Sequence, residues 1–277
     1  MPPLHTFIHD VNGKIDRSHL IQFDGKFCTK GIGLKITLTG QTQYEIGGNL
    51  YKVQPGEAFL MDRYTEFHGY VKGKTLQQGI CIDISPDLIQ QTQCHFDQPV
   101  SDYGEIPLMI CSLRHYDLLK EVQFFDQSLY QLDWEHEGTE ILYEWATKLG
   151  QLIGKLKGEQ KRLDVKKMAT RQEIFRRLQI ALDFLHDNVK GKFSLDHLAL
   201  HTGMSSYHLA RNFKNCFGQT LFQYHESLKM AYAAERLQQA RQMTVAELAL
   251  ELGYEESSYF IRRFKRHFGH TPGKIPT

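Results

Sequence analysis

The strongest constraint on the fold is a pattern that the chain contains twice near its C-terminal end. Each copy has Leu-Ala, a Gly four residues after the Ala, then Phe-Lys and Phe-Gly-x-Thr, and the copies begin at Leu198 and Leu248. Two helices that cross steeply need a small residue at their contact, and Gly adopts the tight turn between them. The sequence therefore predicts two helix-turn-helix units, at about 194–217 and 244–268.

Helix-start residues bracket both copies. The predicted N-caps are Ser194, Ser205, Thr220 and Thr244, and the last two form capping boxes with Gln223 and Glu247. Between the copies, Leu221 to about Arg241 reads as one helix of roughly twenty residues, about 30 Å long. Successive major grooves on one face of DNA lie about 34 Å apart. This linker helix would hold the two units in adjacent grooves.

The second helix of each unit, here called the reader helix, carries the residue types that contact nucleic acid. Its early residues approach base edges, and its cations neutralise phosphates. The base-reading candidates are Ser206, Tyr207, Ala210, Arg211, Ser257, Ser258 and Arg262. The phosphate-contacting candidates are Lys214, Arg263, Lys265 and Arg266. Arg211 suits guanine or a phosphate, and Glu256 suits a helix cap or the amino group of cytosine.

These repeated motifs, with the ending Gly269-His270-Thr271-Pro272, closely resemble the DNA-binding domain of AraC/XylS-type transcription regulators over about 177–277. The resemblance implies seven helices, two helix-turn-helix units and a rigid linker helix. Two positions depart from the family pattern. Many members carry an Arg in the middle of the linker helix, where this chain has Lys229-Met230, and an Arg near the end, where it has Ile275-Pro276.

Charge is distributed unevenly along the chain. The whole chain has 33 Lys and Arg against 32 Asp and Glu, whereas residues 171–277 have 15 against 10. The C-terminal part is therefore the one suited to a polyanion, and placement of charge must matter more than its total. We expect no membrane span and no secretion signal, and so a cytoplasmic protein, because no apolar run is long enough.

The N-terminal part predicts an antiparallel β-structure. Short β-type runs broken by Gly or Pro follow one another from residue 4 to about 84, and Gly47-Gly48 and Pro55-Gly56 suit tight hairpins. We interpret these runs as a meander closed into a barrel or two-sheet sandwich. The order Gly40, Tyr44, Pro55-Gly56, His68 resembles the cupin-type barrel that commonly precedes this DNA-binding domain.

Metal-binding cupins use a His-x-His and a Glu, and this chain has Gln43-Tyr44-Glu45 in that neighbourhood with His68 after it. We therefore expect no metal and no cofactor, and a cavity for an organic ligand lined by Tyr44, His68 and Tyr70. Rim or core residues with satisfied hydrogen bonds are an equally good interpretation of each. The five cysteines show no metal-binding spacing and predict reduced thiols.

The chain turns helical after Pro86, and about 105–157 forms the helical part of the first domain. One predicted helix has an apolar stripe with the spacing of a coiled-coil seam. Its members are Leu142, Trp145, Leu149, Leu152 and Leu156. The stripe suits a homodimer interface or packing onto the barrel. We place a cupin-like ligand-sensing and dimerisation domain at 1–157, a linker at 158–172 and the DNA-binding domain at 173–277.

The sequence thus predicts an α+β protein: a cupin-like antiparallel barrel with a helical dimerisation segment, then an all-α domain with two helix-turn-helix units. We expect a sequence-specific transcription regulator, not an enzyme, that binds double-stranded DNA in two adjacent major grooves per protomer. A small-molecule effector and a second copy of the chain are the other expected partners, with RNA polymerase a further candidate. The alternatives are a cupin metalloenzyme with a fused helical domain and a regulator controlled by a partner protein.

Overall fold

A computed structural model of the chain describes residues 4–71, 76–93, 109–239 and 243–274. The chain divides into two compact units, Met1–Lys161 and Arg162–Thr277. The boundary falls inside the predicted linker at 158–172. None of the helices in the described ranges has the length and hydropathy of a bilayer-crossing segment.

The described part of the first unit contains ten strands in two antiparallel sheets. The strands are β1 Leu4–His9, β2 Gly13–Leu20, β3 Phe23–Cys28, β4 Ile32–Thr39, β5 Thr42–Ile46, β6 Asn49–Val53, β7 Glu57–Met61, β8 Glu66–Val71, β9 Gln77–Ile84 and β10 Met109–Ser112. One sheet has the order β1-β2-β9-β4-β7-β10, and the other has the order β3-β8-β5-β6.

The strand order differs from the predicted meander. Strand β4 pairs with β9 and β7, and β3 pairs with β8, so many neighbours in the sheets are distant in sequence. Local turn signals set where strands end, but pairing depends on which faces become buried between two sheets. The antiparallel character of the prediction is confirmed, and the sequential pairing is wrong.

The first unit also contains three helices within its described residues. They are α1 Pro86–Gln93, α2 Leu119–Ser128 and α3 Gly138–Lys161. Helix α3 packs against β9 and α1. The apolar stripe proposed above as a dimer seam lies on α3, and its five side chains are buried within the chain, 0–3% exposed. The Trp145 ring lies 4.9 Å from that of Phe125 on α2, centroid to centroid.

A stripe that the chain itself covers is not available to a second copy. Packing onto the chain's own unit, the alternative interpretation, is what the structure shows for Leu142, Trp145, Leu149, Leu152 and Leu156. Helical spacing identifies which residues share a face, but it does not reveal what covers that face. A homodimer remains a prediction that would need a different surface.

The second unit is helical throughout its described residues. Its helices are α4 Met168–Asp187, α5 Leu195–Thr202, α6 Ser206–Phe217, α7 Leu221–Gln239, α8 Val245–Glu251 and α9 Ser257–Phe268, followed by a 3-10 turn at Pro272–Lys274. Helices α5 and α6 form the first helix-turn-helix unit, and α8 and α9 form the second. Helix α7 is the linker helix. These elements agree with the predicted ranges.

The predicted caps are confirmed. The side chains of Ser194 and Ser205 accept from backbone N–H groups at the starts of α5 and α6. Thr220 and Gln223 bond reciprocally at the start of α7, and Thr244 forms a capping box with Glu247 at the start of α8. Each cap satisfies donors that a helix start leaves without partners.

The turn after the first helix takes the same form in both helix-turn-helix units. Gly203 and Gly253 have φ of 66° and 78°, in the left-handed region. The next residues donate backbone hydrogen bonds to the carbonyls of Ala199 and Ala249, at 3.0 and 2.9 Å. Two sequence copies therefore fold into two equivalent turns.

The core of the second unit is built from apolar residues of the repeated pattern and its neighbours. Buried apolar residues from both helix-turn-helix units are Leu198, Leu209, Phe213, Leu248, Phe260 and Phe264. Phe268, which precedes the Gly of Phe-Gly in the second copy of the pattern, is instead 37% exposed. It closes α9 and contacts the rings of Phe264 and His270 at the edge of the core.

We predict that Gly203→Ala destabilises the second unit by about 1–2 kcal/mol, since an L-residue in the left-handed region costs roughly that amount. Gly191→Ala is the control: its φ lies outside that region and a Cβ there would have no neighbour within 4 Å. Denaturant unfolding followed by circular dichroism measures both. Equal stability of the two variants would contradict the role assigned to this turn.

Candidate nucleic-acid interface and cavity of the first unit

The first reader helix, α6, presents most of its candidate residues to solvent. Tyr207 is 67% exposed, and Arg211 and Lys214 are also exposed. Ser206 and Ala210 are partly buried, and the Ser206 hydroxyl donates to Asp196 on α5 at 2.5 Å. Leu209 and Phe213 point into the core, so the polar face of α6 is directed away from it by helical periodicity.

The second reader helix, α9, repeats this arrangement. Both reader helices have 12 residues. When the two are superposed residue by residue, Arg262 takes the place of Arg211, and Lys265 takes that of Lys214. Ser257, Ser258, Arg262, Lys265 and Arg266 are all exposed.

Arg263 is held within the unit. Its Nε donates to the Tyr259 hydroxyl at 2.9 Å and lies 3.3 Å from a carboxylate oxygen of Glu226 on α7. The nearby Glu256 takes the N-cap position of α9, but its side chain makes no capping bond and accepts instead from the Ser258 hydroxyl at 3.1 Å. Both groups are therefore engaged in contacts that the sequence did not predict.

Two side chains of the linker helix tie it to the second helix-turn-helix unit. Glu226 accepts from the Tyr254 hydroxyl at 3.0 Å, in addition to its contact with Arg263. Lys229 is 5% exposed, and its Nζ donates to the carbonyl of Leu252 at 2.6 Å. Burial lowers the pKa of Lys229 below its usual value. The residue that departs from the family pattern thus bridges α7 to the end of α8.

The first unit contains a cavity of about 430 Å³ between its two sheets. One wall is the inner face of β2, β4 and β9, and the other is formed by β3, β5 and β8. Phe23, Phe27 and Phe67 stack along the second wall, with ring centroids 5.6 and 5.5 Å apart. A concave, partly apolar site of this size suits a small organic molecule.

The structure separates the three predicted cavity residues. Tyr44 lines the cavity, and burial raises the pKa of its hydroxyl. His68 and Tyr70 do not line it. On β8 they alternate with Phe67 and Gly69, which do, and side chains on a strand point alternately to its two faces. His68 instead bonds Asp24 on β3, with 2.6 Å between Nε2 and Oδ1.

The most polar part of the cavity was not predicted. Lys35 on β4 and Asp83 on β9 form a bidentate ion pair at 3.1 and 2.9 Å inside it. The signal was present in the sequence, because each charged residue lies within an apolar β-type run, Gly-Leu-Lys-Ile in one and Ile-Asp-Ile in the other. A charge on an inward-facing strand position requires a partner.

The sequence also predicts that the cavity of the first unit holds no metal ion. Among the described residues, no three His, Cys, Asp or Glu side chains are arranged to hold a metal ion. Four of the five cysteines lie in the described ranges, and these four are not joined in disulfides; Cys28 is exposed, and Cys111 and Cys216 are buried. Cys94 lies outside those ranges.

The chain is similar to known helix-turn-helix proteins over part of its length. A family model described as a helix-turn-helix domain matches residues 198–275. Multiple antibiotic resistance protein MarA of Escherichia coli is 34% identical over 93 residues, 34% of this chain and 72% of MarA. Probable transcription factor PqrA of Proteus vulgaris is 38% identical over 81 residues, 29% of this chain and 66% of PqrA.

Solved structures resemble the chain in two ways. An AraC-type transcriptional regulator from Chromobacterium violaceum aligns with 36% of this chain and 88% of its own, at 26% identity and a TM-score of 0.34. ToxT from Vibrio cholerae, with an unsaturated fatty acid bound, aligns with 95% of this chain and 94% of its own, at 11% identity and a TM-score of 0.37.

The match to MarA covers more than two thirds of that protein. The family model matches residues 198–275, which include the linker helix and both reader helices. The same segment forms two equivalent capped units with exposed, basic reader helices. The chain belongs to the AraC/XylS family of DNA-binding transcription regulators.

Proposed function

We propose that the chain reads a specific DNA sequence with both reader helices, placed in adjacent major grooves. The observation that carries this proposal is the equivalence of Arg211 and Arg262, two exposed guanidinium groups at the same position of two equally long helices. Arginine in the early turns of such a helix suits bidentate contact with guanine. The described α7 has 19 residues, about 28 Å, close to the spacing of successive grooves.

The remaining exposed cations suit the DNA backbone. Lys214 and Lys265 lie one turn beyond these arginines, where a reader helix leaves the groove. Arg266 is exposed on α9 as well. Arg263 is a weaker candidate, because a phosphate would have to compete with Tyr259 and Glu226 for its guanidinium.

We infer further that the cavity of the first unit binds a small organic effector, and that the protein acts as a regulator and not as an enzyme. The support is the size of the cavity, its aromatic wall and the Lys35–Asp83 ion pair inside it. An effector controls such a protein only if it binds one conformational state more tightly than another. Contact with RNA polymerase remains a prediction.

We predict that Arg211→Ala weakens binding to the preferred site by about 1–3 kcal/mol and relaxes the preference at one base pair. Arg211→Lys is the matched variant, because it keeps the charge but loses the planar, bidentate donor geometry. Binding selection from a randomised DNA pool, followed by affinity measurement on single sites, compares the two. If Arg211→Lys retains the full base preference, Arg211 contacts a phosphate.

We predict a different result for Lys214→Ala and Lys265→Ala. Each removes one phosphate contact, so affinity falls by a similar factor on all sequences and the slope of log K against log salt decreases by about 1. Titrations at several salt concentrations measure the slope. An unchanged slope in both variants would show that these lysines face solvent in the complex.

We predict that Lys229→Met weakens DNA recognition by the second helix-turn-helix unit more than DNA recognition by the first. Loss of the Nζ donor leaves the buried Leu252 carbonyl without this bond, which costs about 1–3 kcal/mol. Footprinting on a full site should show protection lost first in the groove read by α9. Lys229→Arg retains a donor and should restore protection. Uniform loss in both grooves would contradict the bridging role.

A further inference from the structure

Four of the charged side chains that line the cavity form an alternating array on one sheet. Across β2, β9 and β4, Asp16, Cys81 and Lys35 lie in one row of the register. Lys14, Asp83 and Gly33 lie in a neighbouring row. Every member of these rows lines the cavity except Gly33, and the array contains two cations and two carboxylates.

The four charges are already paired with one another. Besides the Lys35–Asp83 pair, Lys14 Nζ lies 2.7 Å from a carboxylate oxygen of Asp16. The other oxygen of Asp16 accepts from the Thr6 hydroxyl at 2.6 Å. The cluster therefore has no net charge, and its carboxylates have their counter-ions in place.

Lys35 is held in the space between the sheets. It is 6% exposed, and its Nζ lies 5.9 Å from the centre of the Phe67 ring on the opposite wall. Burial opposes its charge, but Cys81 and Asp83 outweigh burial and raise the pKa of Lys35 above its usual value. Gly33 makes room for the pair, because a Cβ there would lie 2.7 Å from an Asp83 oxygen.

A balanced, buried cluster discriminates against charged ligands. A carboxylate would have to displace Asp83 from Lys35, and an ammonium group would have to displace Lys35 from Asp83. Either exchange leaves one buried charge without a counter-ion, which is strongly unfavourable. A hydroxyl, carbonyl or amide group can bond to the edge of the cluster while both ion pairs remain intact.

We propose that the effector of this cavity is an uncharged organic molecule, with an apolar or aromatic body against Phe23, Phe27 and Phe67 and a neutral polar group directed at the Lys35–Asp83 pair. This proposal rests on the proposed function of the cavity as an effector site. It adds the chemical class of the effector and assigns Lys35 and Asp83 as the residues that select for neutrality.

Three probes that differ in one terminal group test the charge selection: 3-phenylpropan-1-ol, 3-phenylpropanoate and 3-phenylpropylamine. Thermal unfolding of the full chain is measured with each probe near neutral pH. We expect the alcohol to bind at least about tenfold more tightly than either ion, the cost of one unpaired charged group. At ten times its Kd the alcohol should raise the melting temperature by about 3 °C or more.

Substitutions in the Lys35–Asp83 pair should change which of the three probes binds best. Asp83→Asn leaves the Lys35 cation without its partner, so the carboxylate probe should become the best stabiliser. Lys35→Met leaves the Asp83 carboxylate alone, so the amine should become the best. The double variant is neutral again and should prefer the alcohol. Lys52→Met is the control, because Lys52 is exposed on β6 and does not line the cavity.

Each other outcome overturns a defined part of the proposal. If the carboxylate or the amine stabilises the unaltered chain best, the effector class is wrong, while the cavity remains an effector site. If no probe shifts the melting temperature of the unaltered chain or of any variant, the effector site itself is wrong. If the single variants do not fold, the comparison of the three probes on the unaltered chain decides the effector class.

Discussion

The contact between the first helix of each helix-turn-helix unit and the reader helix that follows it is the interaction on which the DNA-binding unit depends. Ala199 and Ala249 supply the small side chains at this contact, and Gly203 and Gly253 supply the left-handed turn beside it. Once this contact is made, Phe213 on α6 and Phe260 and Phe264 on α9 enter the core. The exposed basic residues, which include Arg211 and Arg262, lie on the opposite face. The recognition surface is thus a consequence of how the opposite face of the helix packs.

The second requirement is that the two helix-turn-helix units keep a defined position relative to one another. Helix α7 begins with the reciprocal bonds of Thr220 and Gln223, and farther along it is joined to the second unit through Glu226 and Lys229. The Lys229 bond is buried and the Glu226 bond is partly buried, and both are directional, so they restrain rotation of α9 about the linker helix. A Lys in place of the family's usual Arg still reaches a backbone carbonyl.

Features that depend on interactions between residues close in sequence were predicted correctly, and features that depend on contacts between distant residues were not. The helices, caps and turns of the second unit were predictable, because a capping Ser or a Gly in a tight turn acts within a few residues of itself. The apolar stripe of α3 was correctly predicted to form one face of a helix, but the sequence did not show which elements pack against that face. His68 was placed in the cavity from its position in sequence, whereas β8 directs it to the other face of the sheet.

The sequence by itself determined the two helix-turn-helix units, the positions of their basic residues and the antiparallel character of the first unit, since all of these follow from local periodicity and turn chemistry. Only the tertiary structure decided which strands pair, that the α3 stripe is covered by the chain itself, that Arg263 is held by Glu226, and that Lys35 meets Asp83 between the sheets. The physical reason is that each of these contacts joins residues far apart in sequence, and no local pattern specifies which distant partner a buried face or a buried charge will meet.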